Sequence, residues 1–162
     1  MLLIMSRKNT LPLVLIALLS ILFACDGADT KCREDLSVRL KAGFYTIKSA
    51  KSTSLSIDSI SINGLGVDSF IYDNSKSKSS VYLPLNSEAL QSDFVFNCND
   101  IIDTVSVYYS TNNEYFISLG CGCISKHKVD KISYTTNFID SVQLIYTDVL
   151  NVDIEHVKIY HN

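Results

Sequence analysis

Apolar residues return at every second position in short runs along most of this chain, and a period of two restricts those runs to strands. Leu36, Val38, Leu40, Ala42 and Phe44 share one parity, while Arg39 and Lys41 hold the other. That is the pattern of a strand with one face buried. A Ser/Lys-rich turn is expected at 49–54. Beyond it Leu55 and Ile57 alternate before Ile60 and Ile62 take the opposite parity, so a bulge or turn near Asp58-Ser59 is expected. Asn63-Gly64-Leu65-Gly66 reads as a turn, because Asn and Gly tolerate positive φ. Further strands are expected at 67–72, 81–86, 94–96, 104–109, 115–119, 131–134, 141–146 and 152–160, with polar connections at 73–80, 97–103 and 110–114. Pro84 cannot donate to a ladder and marks an edge or a strand end. No stretch sustains helical spacing. Eight or nine strands at spacings of about 8 to 12 residues predict an all-β fold, an antiparallel β-sandwich of immunoglobulin-like general architecture. A closed β-barrel is the alternative that the pattern leaves open.

The first residues follow a different rule. Arg7 and Lys8 precede an apolar run from Leu11 to Phe23, and Leu22-Phe23-Ala24-Cys25 closes it with a small residue before a cysteine. The charged n-region, apolar h-region and small residue form a secretory signal. The run falls short of the ~20 residues of a spanning helix and contains Pro12 and Ser20. Ending in Ala-Cys rather than in an A-x-A pattern makes it a lipoprotein signal, with Cys25 the acylated residue. Each buried methylene contributes about 0.8 kcal/mol and one chain alone holds only marginally, so several chains on one cysteine make a stable anchor. Met5 is an alternative start, since residues 1–5 are mostly apolar in front of the charges. The expected organisation is a signal peptide at 1–24, a lipid-anchored tether at 25–35 and one sandwich domain at 36–162.

Removing 24 residues leaves 138, enough for a domain with its own core. All 17 acidic residues lie after the cut and 12 of the 14 basic ones remain, so the mature chain carries a net charge of −5. Nucleic acid is thereby disfavoured as a partner. The densest basic group, Lys126-His127-Lys128 with Lys131, is diluted by Asp130 and reads as a solvated loop.

With Cys25 committed to lipid, Cys32, Cys98, Cys121 and Cys123 remain. An even set in an exported chain points to disulfides, for which three connectivities exist. If 104–109 and 115–119 pair through a turn at 111–113, Cys121 and Cys123 come close to Cys98. Cysteines two apart on a strand share a face, which favours separate partners, Cys32 and Cys98, over a bridge between them. Each bridge would contribute about 2 to 4 kcal/mol.

Two functional readings compete with structural bridges. Cys98, Cys121, Cys123 and His127 make up a Cys3His zinc set, opposed by an oxidising compartment and by the absence of a paired C-x-x-C knuckle. Cys121-Gly122-Cys123 is a candidate exchange dithiol, without the helix N-terminus and βαβ setting that lower a thiol pKa. His127, His156 and His161 sit in no nucleophile or metal motif, and His156 and His161 read as surface residues. No catalytic residues, metal ligands or cofactor are assigned. Tyr72, Tyr82, Tyr108, Tyr109, Tyr115, Tyr134, Tyr146 and Tyr160 fall mostly at alternate positions of half-buried strands. A chain without Trp is a poor candidate for a sugar-stacking surface.

Ser80-Val81-Tyr82-Leu83-Pro84-Leu85-Asn86, Asp93-Phe94-Val95-Phe96, Asp103-Thr104-Val105 and Ser118-Leu119-Gly120-Cys121-Gly122 occur in an order that resembles a family of uncharacterised small lipoproteins from Bacteroidetes. With Cys32 the resemblance covers most of 25–162. It implies a bridge between Cys32 and Cys121 and leaves Cys98 for Cys123; this chain departs from the family pattern in having Cys98 and Cys123. The family has no known activity, so the resemblance implies compartment and fold alone. The expected function is a non-enzymatic, lipid-anchored cell-envelope protein, facing the periplasm or the cell surface. Its expected partners are the membrane, through Cys25, and an envelope protein or glycan. The rival is an envelope enzyme, a hydrolase or thiol exchanger, whose site assembles only in the fold.

Overall fold

Eleven strands and no helix make up the regular structure of the computed structural model, which describes residues 31–162. The signal segment and Cys25 lie outside the described residues. The fold is a two-sheet β-sandwich, and residues 33–162 form one compact unit.

The first sheet is built on β1 (Arg39–Lys48), whose Leu40, Ala42 and Phe44 are buried as the alternation predicts. One edge of β1 carries β11 (Val157–Tyr160), with Ala42 opposite Val157 and Tyr45 opposite Tyr160. Its other edge is shared by β5 (Ser80–Pro84) along the first half and β2 (Lys51–Ser54) along the second. Beyond β11 lies β9 (Ser141–Leu144). The β1–β11 pair is parallel, an exception to the antiparallel expectation. Parallel neighbours need a long crossover, and here almost the whole domain serves as one.

The second sheet runs in the order β10 (Asp148–Val149), β8 (Gly122–Tyr134), β7 (Ile101–Ser118), β6 (Gln91–Cys98), β3 (Ile57–Gly64) and β4 (Phe70–Lys78), with every pair antiparallel. The chain changes sheets twice beside Phe44. Leu55 N–H, after β2, donates to the Phe44 carbonyl at 2.8 Å, and Phe44 N–H donates to the Ser79 carbonyl, between β4 and β5, at 2.9 Å. Phe44 itself is wholly buried between the sheets among Ile60, Ile62, Phe96, Val107, Leu83 and Ile159 of one core cluster. Burying such side chains is worth roughly 1.5 to 3 kcal/mol each.

Three expectations are corrected. The polar stretch at 73–80, read as a loop, is mostly strand β4; Asn74 and Ser77 adopt φ of 40° and 52°, and the register with β3 slips between Ile60 and Asn63. The strand irregularity therefore sits beside Ile60–Asn63, not at Asp58-Ser59. As an edge strand with much of its surface in solvent, β4 shows no apolar parity, and its kinks discourage pairing with another chain. The turn expected at 111–113 does not form. Instead β7 continues for 18 residues, and the chain turns at 119–121. Finally, Lys126-His127-Lys128 is not a loop but the middle of β8, with His127 buried and Val149 of β10 opposite it.

Candidate functional site

The polar parity of β1 builds a surface on the outer face of the first sheet. Lys41 stands opposite Tyr82 of β5, and the Tyr82 ring carries two cations, the Arg39 guanidinium at 4.9 Å and the Lys41 ammonium at 5.4 Å from its centroid. Such contacts are worth roughly 0.5 to 1 kcal/mol at exposed sites. Asp153, from the segment between β10 and β11, accepts from Lys41 Nζ at 2.7 Å and from the Tyr82 hydroxyl at 2.8 Å. The Lys41 hydrogen bond, followed by that of Tyr82, holds the Asp153 carboxyl below the usual carboxylate range, and the same Asp153 contact raises Lys41. Beside this triad opens a cleft of about 320 Å³, lined by Asp35, Ser37, Arg39, Tyr82, Asn151 and Asp153 together with Leu150 and Val152. The Asn151 amide donates to the Asp35 carbonyl at 3.0 Å and joins its two walls. Arg39 rests on the Tyr82 face and its charge reaches Asp35 and Asp153 across the cleft, but among the described residues its fork makes no ion pair or hydrogen bond.

The surface continues past Gly43, where a glycine is required by close approach. A Cβ there would run into the Glu155 carboxylate and lie 2.9 Å from the Tyr45 ring, so any larger residue would have to displace the Glu155 side chain. The Glu155 carboxylate accepts from the Tyr45 hydroxyl, 3.0 Å from each oxygen. Burial first, then Glu155, raises the Tyr45 pKa. Lys158 Nζ sits 4.7 Å from the Tyr45 ring centroid, and Tyr160 packs at 5.9 Å on the same ring. Tyr82, Tyr45 and Tyr160 thus form an aromatic row bearing lysines and an arginine.

Beneath this face lies His156, fully buried and not the surface residue expected from sequence. Its Nδ1 accepts the Lys41 backbone N–H at 3.0 Å, which places the proton on Nε2, and Nε2 has no hydrogen-bond partner. Burial pushes its pKa below the ordinary histidine value; the Asp148 backbone opposes that shift without making an aligned hydrogen bond, and the Lys41 charge adds to it. His127 is also buried, its Nδ1 2.9 Å from the Thr111 hydroxyl and its ring edge-on to Tyr109 at 5.2 Å. Burial lowers its pKa too. His161 bonds the Phe138 carbonyl through Nδ1 at 2.8 Å.

A third buried ionisable group, Asp103, has a structural role. Its carboxylate accepts from the backbone of Asn137, Phe138 and Ile139 at 2.9, 2.6 and 2.8 Å, and from the Thr135 hydroxyl. Burial raises its pKa, but these donors together outweigh burial and hold it below the usual range.

The four cysteines do not gather. Cys32 and Cys121 are disulfide-bonded, whereas Cys98 and Cys123 are free, the first buried and the second exposed. The bridge expected between Cys98 and Cys123 is therefore corrected. Cys98 stands opposite Ile101 at the start of β7, and Cys123 opposite Phe116 near its end, 15 positions apart. That is roughly 50 Å of extended strand, against the ~7 Å limit for bridged Cα atoms. The Cys98, Cys121, Cys123 and His127 set is dispersed for the same reason, and the described residues contain no cluster of three or more His, Cys, Asp or Glu able to hold a metal ion. Sequence reading missed Arg39, Lys41, Tyr82, Asp153 and Glu155 as a group. Only the polar parity of Arg39 and Lys41 signalled an outward face; their partners arrive from strands far along the chain.

These features define a two-sheet β-sandwich whose most developed surface is a polar, tyrosine-lined face beside a cleft. The chain belongs to a family of unknown function, DUF6452, whose profile matches residues 60–161. No curated protein and no solved structure matches it. The matched span contains Tyr82, Asp153 and Glu155, and begins after Arg39 and Lys41.

Proposed function

We propose that this is a small lipid-anchored protein of the bacterial cell envelope, like the Bacteroidetes lipoproteins it resembles, and that it works by binding. Residues 1–24 are removed, Cys25 carries the acyl chains, and the tether to residue 35 holds the sandwich at the periplasmic or outer surface. Cys32 and Cys121 are joined to each other. The sequence Leu22-Phe23-Ala24-Cys25 after a charged and apolar lead supports the anchor. The observation that carries the binding reading is the Arg39 guanidinium, stacked on Tyr82 in the wall of the cleft, with Asp35 and Asp153 near enough to feel its charge but neither bonded to its fork. A planar fork held by an aromatic ring is preorganised for a carboxylate or another acceptor on an envelope glycan or protein. Lys41 and Asp153 shift in the directions that fix both charges, which suits a scaffold and not a proton shuttle working near neutrality.

A photo-crosslinking residue in place of Val152, an exposed side chain lining the cleft, should yield in living cells one discrete envelope adduct that Arg39→Ala abolishes, while the same residue at Lys76 yields none. Equal adducts from both positions would contradict a binding site at the cleft. A second reading has one specific support: Cys123 is a free, exposed thiol two residues from disulfide-bonded Cys121. Catalytic turnover of a disulfide substrate, many cycles per protein in the presence of a thiol reductant, that is lost in Cys123→Ser at unchanged stability would favour a thiol enzyme.

A further inference from the structure

The β7–β8 hairpin outruns the sandwich. Strand β6 and the residue before it accompany β7 no further than Tyr109, and β10 meets β8 only at His127 and Lys128. Among the described residues, no strand flanks the ribbon between Asn112 and Lys126. A two-stranded ribbon alone in water is marginal, yet this one ends in apolar side chains. Leu119 in the turn is 95% exposed, Phe116 59% and Tyr115 38%. Lys126 sits 5.9 Å from the Tyr115 ring centroid, one step back from the tip. An apolar end with a tyrosine and a lysine behind it is graded as a bilayer interface is graded, hydrocarbon first and amphipathic groups at head-group depth.

The chain outside the described residues says what lies there. Cys25 precedes Cys32 by seven residues, a reach of at most about 24 Å, and Cys32 and the turn residue Cys121 are both disulfide-bonded. We propose that the hairpin tip, through Leu119 and Phe116, is seated in the head-group region of the bilayer beside the acyl chains. This rests on the reading that Cys25 is acylated and Cys32 joined to Cys121. The protein then has two points of attachment, the covalent lipid and the tip, so the sandwich is held in a fixed orientation.

The chain contains no tryptophan, so one introduced residue reports its own surroundings. The full-length lipoprotein carrying Leu119→Trp is reconstituted in phosphatidylglycerol/phosphatidylcholine vesicles, with a parallel Ile102→Trp protein whose 52% exposed position lies near the opposite end of β7. The indole introduced at the tip should emit to the blue of the one at the far end of β7. It should also lose at least half its intensity to phospholipids brominated high on the acyl chain, while the far-end indole is unaffected. Phe116→Trp should repeat the result if the change at Leu119 perturbs the turn. Protein that floats with the vesicles while the tip indole stays unquenched overturns the proposal; a blue-shifted but unquenched tip indole means that protein covers the tip, and overturns it equally. Protein that does not float removes the anchor reading and this proposal with it. Quenching at the tip in protein whose peptide map lacks a Cys32–Cys121 bridge supports the seated tip and corrects only the pairing.

Discussion

Cys98 and Cys123 are alike in the sequence and opposite in the fold. Cys98 closes β6 in the core, where burial, with the Asp103 charge a lesser cause, pushes its thiol up to about 12. At pH 8 the thiolate fraction of such a group is about one in ten thousand, and no alkylating reagent has direct access to it. Cys123 is exposed. In the native protein iodoacetamide at pH 8 should therefore label Cys123 within minutes and leave Cys98 intact until denaturant is added, as read by peptide mass. Equal labelling rates would mean that Cys98 is not in the core. The four cysteines after residue 25 were legible in the sequence, but their neighbours were not, because proximity depended on where one hairpin turns. Gly43 shows the same limit. The Glu155 carboxylate that fills the space above it comes from more than a hundred residues away, so no local pattern marks this glycine.

Elements were legible to the extent that one face of each is buried. The alternation in β1 correctly placed Leu40, Ala42 and Phe44 in the core, since packing against a second sheet imposes the period of two, but it was read back to Leu36, which precedes the strand and is exposed. Residues 73–78 of β4 and 110–114 of β7 were misread as connections because solvent on most sides removes that constraint, leaving Asn, Ser and Lys that look like loop. The short strand β10 was not anticipated, and it has a consequence for stability. Val149 pairs with His127, and Asp148 lies beside His156, so a buried histidine stands on each side of β10. Both histidines have folded pKa values below the ordinary value of about 6.5. The unfolded chain therefore binds more protons, so their contribution is complete above about pH 6.5 and is lost as pH falls below it. Asp103, shifted down as a carboxylate, adds its own loss only below about pH 4. Between pH 7 and 4.5 the melting temperature should fall by several degrees, and His127→Gln with His156→Gln should flatten that slope. A melting temperature constant across this window would contradict the buried, neutral state of the two rings.

The whole molecule places its first and last strands side by side in one sheet and directs two different surfaces outward. One is the tyrosine row and cleft on the first sheet; the other is the apolar tip of the hairpin from the second. The expected compartment depended on 25 residues at the start of the chain, read from charge, apolar length and one cysteine. The cleft was hidden because its walls come from β1, β5 and the segment after β10, which no local pattern connects. The proposed anchorage is what would give both surfaces their meaning, and Cys25 is where to test it. Cells fed an alkyne fatty acid should show labelled protein in the membrane fraction, with Cys25→Ser unlabelled and released, and the wild type should accumulate as precursor when the lipoprotein signal peptidase is inhibited. Unlabelled wild-type protein that is processed normally under that inhibitor would contradict the lipid anchor.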